Sequence, residues 1–472
     1  MGKYKRLLSN TAILGIGTFA SKVLVFLLMP FYTSVLSTEQ FGVADILTQT
    51  ANLLIPLAAI GICDGIFRFA LDGSESSDVS ERRVLSCGVA VLAVGSALCV
   101  AAVQLLRCFD IFSGYVWLVA AYVLCANLHL AFANFIRAQG HTTLFAVQGI
   151  INTVLTIGLN VLLLVGFDMG TFGYVVSVVI ADLCVSVFLF FAARLWRFLS
   201  PREVNYTVIK SMLRFSVPYI PTTILWLITS VSDRYIVTAY CGEAENGLYA
   251  AAYKLPTMLS LVCGVFIEAW HFSTVKDAEP EERSAFFGSV FKNYMAIIFM
   301  GASGIIAFSK LLTRLLLADS YFSSWQFVPV LTLATAFSAL VAFLGSVYFL
   351  EKKSLLSMLT ALAGTVVNVV LNFVMIPKHG AMGAAVATLI SYLAVYAIRA
   401  YDTRFYIRFN LHTVKVIINL AVLSAQTVAM VAELPYWRYM QVAFVAFMLI
   451  FNGKDIVKGV LYALRQIKRK KT

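Results

Sequence analysis

The 472-residue chain is 60% hydrophobic and only 13% charged, with a net charge of +12 and a mean hydropathy of +0.86. So few charges cannot cover a soluble domain of this length. The basic residues also lie in short loops between apolar runs, with no aromatic–basic recognition module, which argues against a nucleic-acid partner.

Apolar runs of about 20 residues recur from end to end, each able to cross roughly 30 Å of hydrocarbon as a helix. A transmembrane barrel would instead alternate in segments of about ten residues. The expected fold class is therefore all-α and integral to the membrane, with about fourteen transmembrane helices. The opening Met1–Asn10 is basic and then apolar, but the run continues to residue 35 without a small-residue cleavage site, so it reads as the first span. The expected spans are 8–35, 43–69, 84–106, 113–136, 143–166, 171–196 and 213–238. They continue with 247–273, 286–313, 326–350, 355–376, 381–405, 413–432 and 437–452.

With a cytoplasmic N-terminus, 28 of the 36 Lys and Arg residues fall on the inner side, and the alternation holds along the whole chain. Both termini are then cytoplasmic. The eight cysteines, at 63, 87, 99, 108, 125, 184, 241 and 263, lie mostly within apolar runs. They form no CxxC and no Cys/His metal spacing, and they read as free thiols.

An internal repeat divides the chain. Span one leads into Glu39-Gln40-Phe41-Gly42, and span seven into Glu245-Asn246-Gly247. Span five carries Asn160 followed by Gly170-x-x-Gly173, and span eleven carries Asn372 followed by Gly380-x-x-Gly383. The expected organisation is a six-helix bundle over 1–200, a second over 201–410, and two further helices with a basic tail over 411–472. An even number of spans per half gives both halves one orientation, as in transporters built from parallel repeats.

Several of these stretches resemble one family. Ser37-Thr38-Glu39-x-Phe41-Gly42, Ser232-Asp233-Arg234-Tyr235, Gly247-Leu248-Tyr249 through Leu255, and Asn368-x-x-x-Asn372 with Gly380 to Thr388 occur in the order and spacing of polysaccharide exporters. The chain is similar to O-antigen-type flippases of the multidrug/oligosaccharidyl-lipid/polysaccharide exporter superfamily over residues 8 to 405. The resemblance implies transfer of an undecaprenyl-diphosphate-linked oligosaccharide from the inner to the outer leaflet of a bacterial cytoplasmic membrane. Its implied partners are the polyprenyl-diphosphate-linked glycan, membrane lipids, and the polymerase and glycosyltransferases of the same pathway. A lipid II flippase and a multidrug cation exporter are the alternatives within the superfamily. A membrane-embedded glycosyltransferase would need a large outer loop, and the longest here is about a dozen residues.

No nucleotide-binding loop, HExxH motif or nucleophile–base pair is present, so neither covalent catalysis nor a cofactor or metal is expected. The task is to carry a diphosphate past hydrocarbon. That directs attention to charges within spans, which cost roughly 2.5–3.5 kcal/mol each at mid-helix on insertion scales. Lys22 stands about 21 Å into span one and is the leading candidate for attracting the diphosphate, with an ion pair to Asp182 of span six as the structural alternative. Lys254, Arg234 and Arg68 are further substrate-binding candidates. Asp45, Asp64, Asp182, Asp233 and Glu268 are candidates for ion coupling or gating, with His271 near Glu268 as a titratable neighbour. Pro30, Pro56, Pro218, Pro221 and Pro256 fall in or beside spans one, two, seven and eight, where helix bends would suit moving elements.

Overall fold

A chain in hydrocarbon must satisfy its backbone N–H and C=O groups internally, and continuous apolar runs do so as helices. The computed structural model describes residues 28–73, 80–217, 220–274, 280–351 and 353–469, and it contains no strand among them. Nine of the described helices are long and apolar enough to cross a membrane. The chain is a multi-pass, all-helical membrane protein. It divides into two compact units, Met1–Val231 and Ser232–Thr472.

In the first unit, α1 (Met29–Val35) precedes α2 (Thr38–Ala58). Ser37 caps α2 in a reciprocal box: its hydroxyl accepts the Gln40 N–H at 3.1 Å, and the Gln40 side chain accepts the Ser37 N–H at 3.1 Å. Two donors that a helix start leaves orphaned are thereby satisfied. The sequence pattern predicts one span over 43–69, but the helix stops at Ala58 and restarts as α3 (Ile62–Gly73). Ile60 and Gly61 take φ of 52° and 65°, values a helix interior does not allow.

α4 (Glu81–Val103) passes this break so closely that a Cβ on Gly95 would lie 2.0 Å from the Ala58 carbonyl oxygen. Only glycine permits that approach. α5 (Val116–Ala138), α6 (Thr142–Asn160, continuing as a π-helical turn over Val161–Gly166) and α7 (Gly170–Ala192) follow. α8 (Tyr206–Ser216) is a short helix that docks on α3 and α4. The core they share includes Ile62, Ile66, Leu85, Phe135, Ile136, Leu189 and Met212.

The boundary between the units falls within α9 (Ile220–Cys241). The second unit continues with α10 (Glu243–Thr274), α11 (Pro280–Ala307), the short α12 (Ser309–Leu316) and α13 (Val328–Leu350). α13 is largely buried, as befits a central helix. An aromatic stack fills this core: Phe266 lies 4.4 Å from Tyr294 and Trp270 lies 5.2 Å from Phe343, between ring centroids.

α14 (Ser354–Asp402) has 49 residues, about 74 Å of helix, more than twice the hydrocarbon thickness of roughly 30 Å. Gly380 interrupts it with φ 57° and ψ −145°, so the element is two consecutive passes joined at a glycine. The same local device occurs in the first unit, where Gly170 takes φ 50° at the start of α7. Each is preceded by a fully buried asparagine, Asn160 and Asn372. The motif glycine of each half thus stands at a positive φ.

α15 (Thr413–Val431) and α16 (Trp437–Arg469) end the described chain. The hydrophobic effect gives helices little reason to associate in lipid, so close packing and buried amides hold them together here. Gln426 donates to the Ser303 carbonyl and the Gln441 side chain, both at 3.0 Å, and accepts from the Ser303 hydroxyl at 2.9 Å. Asn452 donates to Asn419 at 2.8 Å. Gln426→Leu should strand Ser303 and Gln441 at a cost of about 1 kcal/mol and lower Tm by roughly 1–2 °C. A thermal melt of the detergent-solubilised protein checks this; an unchanged midpoint would show that the amides do not hold α11, α15 and α16 together.

Candidate functional site

Among the described residues, each unit buries a polar cluster that contains a charged side chain picked out by the sequence. In the first unit, the centre is Asp182 on α7, 8% exposed. His129 on α5 presents Nδ1 to Asp182 Oδ1 at 2.9 Å and Nε2 to Gln148 Oε1 of α6 at 2.6 Å. Asn152, one turn along α6 from Gln148, donates to the same Asp182 oxygen at 2.6 Å. Thr156 donates to Asn152 Oδ1 at 3.2 Å, which fixes the direction of that amide.

With the Gln148 amide turned this way, both imidazole nitrogens face acceptors. Only the doubly protonated ring can donate to both. The neutral ring keeps one of the two bonds unless the amide turns. With the amide turned, the neutral ring can donate to Asp182 and accept from Gln148, so the contacts on these three helices suit either form of the ring.

In the second unit, the centre is Asp233 on α9, fully buried. Its Oδ2 accepts the Tyr249 hydroxyl of α10 at 2.6 Å, and its Oδ1 lies 3.5 Å from the Arg234 guanidinium. Arg234 also lies over the Tyr253 ring, 4.9 Å from its centroid. A buried cation is thus flanked by a carboxylate and an aromatic face, the two surroundings that best offset its lost hydration. Ser232, on the same turn of α9, donates to Asn368 Oδ1 of α14 at 3.0 Å. Asn372 donates to that oxygen at 3.2 Å, and Asn368 donates to Thr388 beyond the glycine break at 3.3 Å. This network ties α9 and α10 to both passes of α14.

The sequence candidates are distributed between these clusters and the surrounding surface. Lys22 lies outside the described residues. Asp182 pairs with His129, a residue the sequence reading passed over. Asp45 is buried on α2, with the Gln49 amide 3.5 Å away. Asp64 and Arg68 lie on α3, both exposed. Asp233 and Arg234 are together in one cluster, and Lys254 follows Tyr253 of that cluster, half-buried on α10. Glu268 lies on α10, but its side chain and that of His271 fall outside the described residues. Among the described residues no group of three His, Cys, Asp or Glu side chains is arranged to hold a metal ion.

His129, Gln148 and Asn152 carried a readable signal, since each interrupts an apolar run. What the pattern did not give was which of them meet.

A family model described as polysaccharide biosynthesis protein matches residues 7–271. No curated protein matches the sequence. Among solved structures, the lipid II flippase MurJ in its inward closed conformation is similar at 14% identity and a TM-score of 0.70, over 95% of this chain and 100% of that one. An inward-facing multidrug resistance MATE family transporter of the MOP superfamily is similar at 12% identity and a TM-score of 0.67, over 86% of this chain and 96% of that one. An outward-facing transporter of that description gives 12% identity and a TM-score of 0.61, over 84% and 95%. At these identities the likeness is one of fold.

Proposed function

The chain belongs to the polysaccharide biosynthesis protein family, and from that membership we propose that it flips an undecaprenyl-diphosphate-linked oligosaccharide from the inner to the outer leaflet by alternating access. The family match over residues 7–271 carries this reading. The fold it shares with a lipid II flippase and with MATE transporters is in keeping with it. A second reading, transport of lipid II itself, has one observation in its favour: that flippase's whole chain aligns with 95% of this one.

The membrane is the cytoplasmic membrane of a bacterium, with both termini cytoplasmic, as the bias of 28 of 36 basic residues to one side supports. The fourteen-span count and the halves 1–200 and 201–410, with 411–472 appended, belong to the same proposal. The positive φ of the motif glycine in each unit supports the repeat. The polymerase and glycosyltransferases of the pathway are its functional neighbours.

Lys22 attracts the diphosphate, and Lys254, Arg234 and Arg68 contribute positive potential along its route. A diphosphate cannot be dehydrated without compensating cations, which is why basic groups are retained where they are costly. The His129–Asp182 pair takes up and releases the coupling proton. Asp45, Asp64, Asp233 and Glu268 act at gates, where a carboxylate that changes partner can bias one conformation over the other.

Complementation of strains each lacking one defined flippase separates the readings: rescue of an O-antigen or capsule strain supports the first, and rescue of a lipid II strain alone supports the second. In the rescued strain, Lys22→Gln should abolish export with protein abundance intact. Unchanged export in that variant would remove Lys22 from the mechanism.

A further inference from the structure

The connection between α11 and α13 carries a short helix whose faces are reversed for water. Among the helices long and apolar enough to cross a membrane, one covers Ser284–Ala307 and the next Val328–Leu350. Residues 308–327 therefore lie at the membrane surface where α11 ends. α12 occupies Ser309–Leu316 of this stretch, and a 3-10 segment over Asp319–Gln326 follows it.

A short amphipathic helix in water hides its leucines and shows its hydroxyls. α12 does the opposite. Ser309 and Thr313, one turn apart, are fully buried. Phe308, Leu311 and Leu315 recur at steps of three and four, which is a single helical face, and they are 54%, 51% and 66% exposed. Three large apolar side chains side by side form a surface that hydrocarbon, and not water, covers.

The helix is not free to roll this face inward, because its cations are fastened to neighbours. Lys310 pairs with Glu433 in the turn between α15 and α16. Its ammonium also stands over two indole rings, 4.1 Å from the Trp325 centroid and 4.5 Å from that of Trp437. Arg314, one turn along, lies over the Phe322 ring at 5.1 Å. These contacts hold the leucines outward. They also mark the level of the helix in the membrane. Trp325 and Trp437, with the exposed Tyr436 and Tyr439 on either side of Trp437, are the amphipathic rings that gather between headgroups and chains.

We propose that α12 is a membrane-surface helix whose Phe308–Leu311–Leu315 face inserts among the upper acyl chains of the leaflet in which α11 ends. Its partner is the lipid surface itself, entered to a depth of roughly 5–10 Å. In the orientation proposed above, this is the outer leaflet. The Lys310 cage then ties that leaflet to the α15–α16 turn, so the terminal helix pair is steadied by lipid through α12. The inference uses the membrane fold and no step of transport.

The test photolabels full-length protein in phosphatidylcholine nanodiscs. The lipid carries a diazirine either in the upper acyl chain or on the headgroup, and a separate sample is oxidised by hydroxyl radicals from water. Peptide mass spectrometry reads the adducts on residues 308–316. Acyl-chain adducts on Phe308, Leu311 or Leu315 should exceed those that the headgroup probe and water leave on the same side chains. Leu311→Glu with Leu315→Glu should lower the acyl-chain adducts about tenfold, because taking one leucine out of hydrocarbon already shifts an equilibrium by about that factor. Leu311→Phe with Leu315→Phe should keep them. Thermal melts report whether both variants are folded, and the wild-type pattern decides the question should the glutamate variant unfold. Labelling chiefly from the headgroup or from water overturns the proposal. So does a chain-to-chain crosslink through these residues, or no adduct from any source, since either means that protein covers the face. Labelling is read without substrate, so this proposal and the flippase reading fail separately.

Discussion

Asp182→Asn is expected to lower export of the lipid-linked glycan at least tenfold while the protein accumulates normally. Asparagine keeps the shape of the side chain but removes the charge that both Asn152 Nδ2, at 2.6 Å, and His129 Nδ1, at 2.9 Å, approach. A hydrogen bond to a charged group contributes about 1.5–3 kcal/mol, and roughly 1.4 kcal/mol is a factor of ten in a conformational equilibrium. If the pair carries a proton through the cycle, His129→Gln should give a similar loss, and the dependence of export on external pH should flatten in both variants. Initial rates of glycan appearance at the cell surface, measured across pH, decide the matter. Full export with an unaltered pH profile in Asp182→Asn would make the cluster a structural tie between α5, α6 and α7.

The second large effect concerns stability before transport. Arg234→Ala leaves the fully buried Asp233 with its charge no longer offset by the guanidinium 3.5 Å away. Removing one partner of a buried pair costs about 3–5 kcal/mol, because the other charge remains desolvated. Little folded Arg234→Ala protein should reach the membrane. The double variant Asp233→Asn with Arg234→Met removes both charges together, and buried pairs replaced by neutral residues of similar volume are often tolerated. It should therefore recover most of the wild-type abundance. Size-exclusion profiles of the fluorescently tagged protein measure this recovery, and export in the same cells measures function. Restored abundance without export is expected if the Arg234 charge serves the diphosphate. Restored abundance with normal export would confine the pair to structure.

The membrane class and the chain order of helices were legible because hydropathy reports the solvent directly. Each long apolar run has one economical solution in hydrocarbon. The run over 43–69 misled because hydropathy is blind to backbone direction. The break at Ile60 and Gly61 packs against Ser216 and Ile220, which a Cβ at Gly61 would meet at 3.3 Å and which lie some 150 residues away in sequence. The span beginning near 213 resolved for a similar reason into α8 and α9: Met212 and Ser216 are buried against α3 and α4, and that packing is tertiary. The C-terminal span ended at 452 on hydropathy, yet α16 continues to Arg469, because charged straight-chain residues sustain a helix as well as apolar ones do.

The site was legible one residue at a time and not as pairs. Asp182, Asp233 and Arg234 were conspicuous because a charge in an apolar run needs a reason. Their partners were not, since His129 and Asp182 lie on different helices whose rotation is set by packing. The glycines of the Asn160–Gly170 and Asn372–Gly380 motifs both stand at positive φ, a local constraint that sequence records directly.

The most direct measurement is leaflet transfer in proteoliposomes containing the purified full-length chain and an undecaprenyl-diphosphate oligosaccharide, with outer-leaflet glycan read by an impermeant sugar-cleaving enzyme. The account requires that inner-leaflet substrate become accessible over time, and that Lys22→Gln and Asp182→Asn protein, incorporated equally, not support it. Accessibility no faster than in protein-free vesicles, together with uptake of an organic cation by the same preparation, would contradict it.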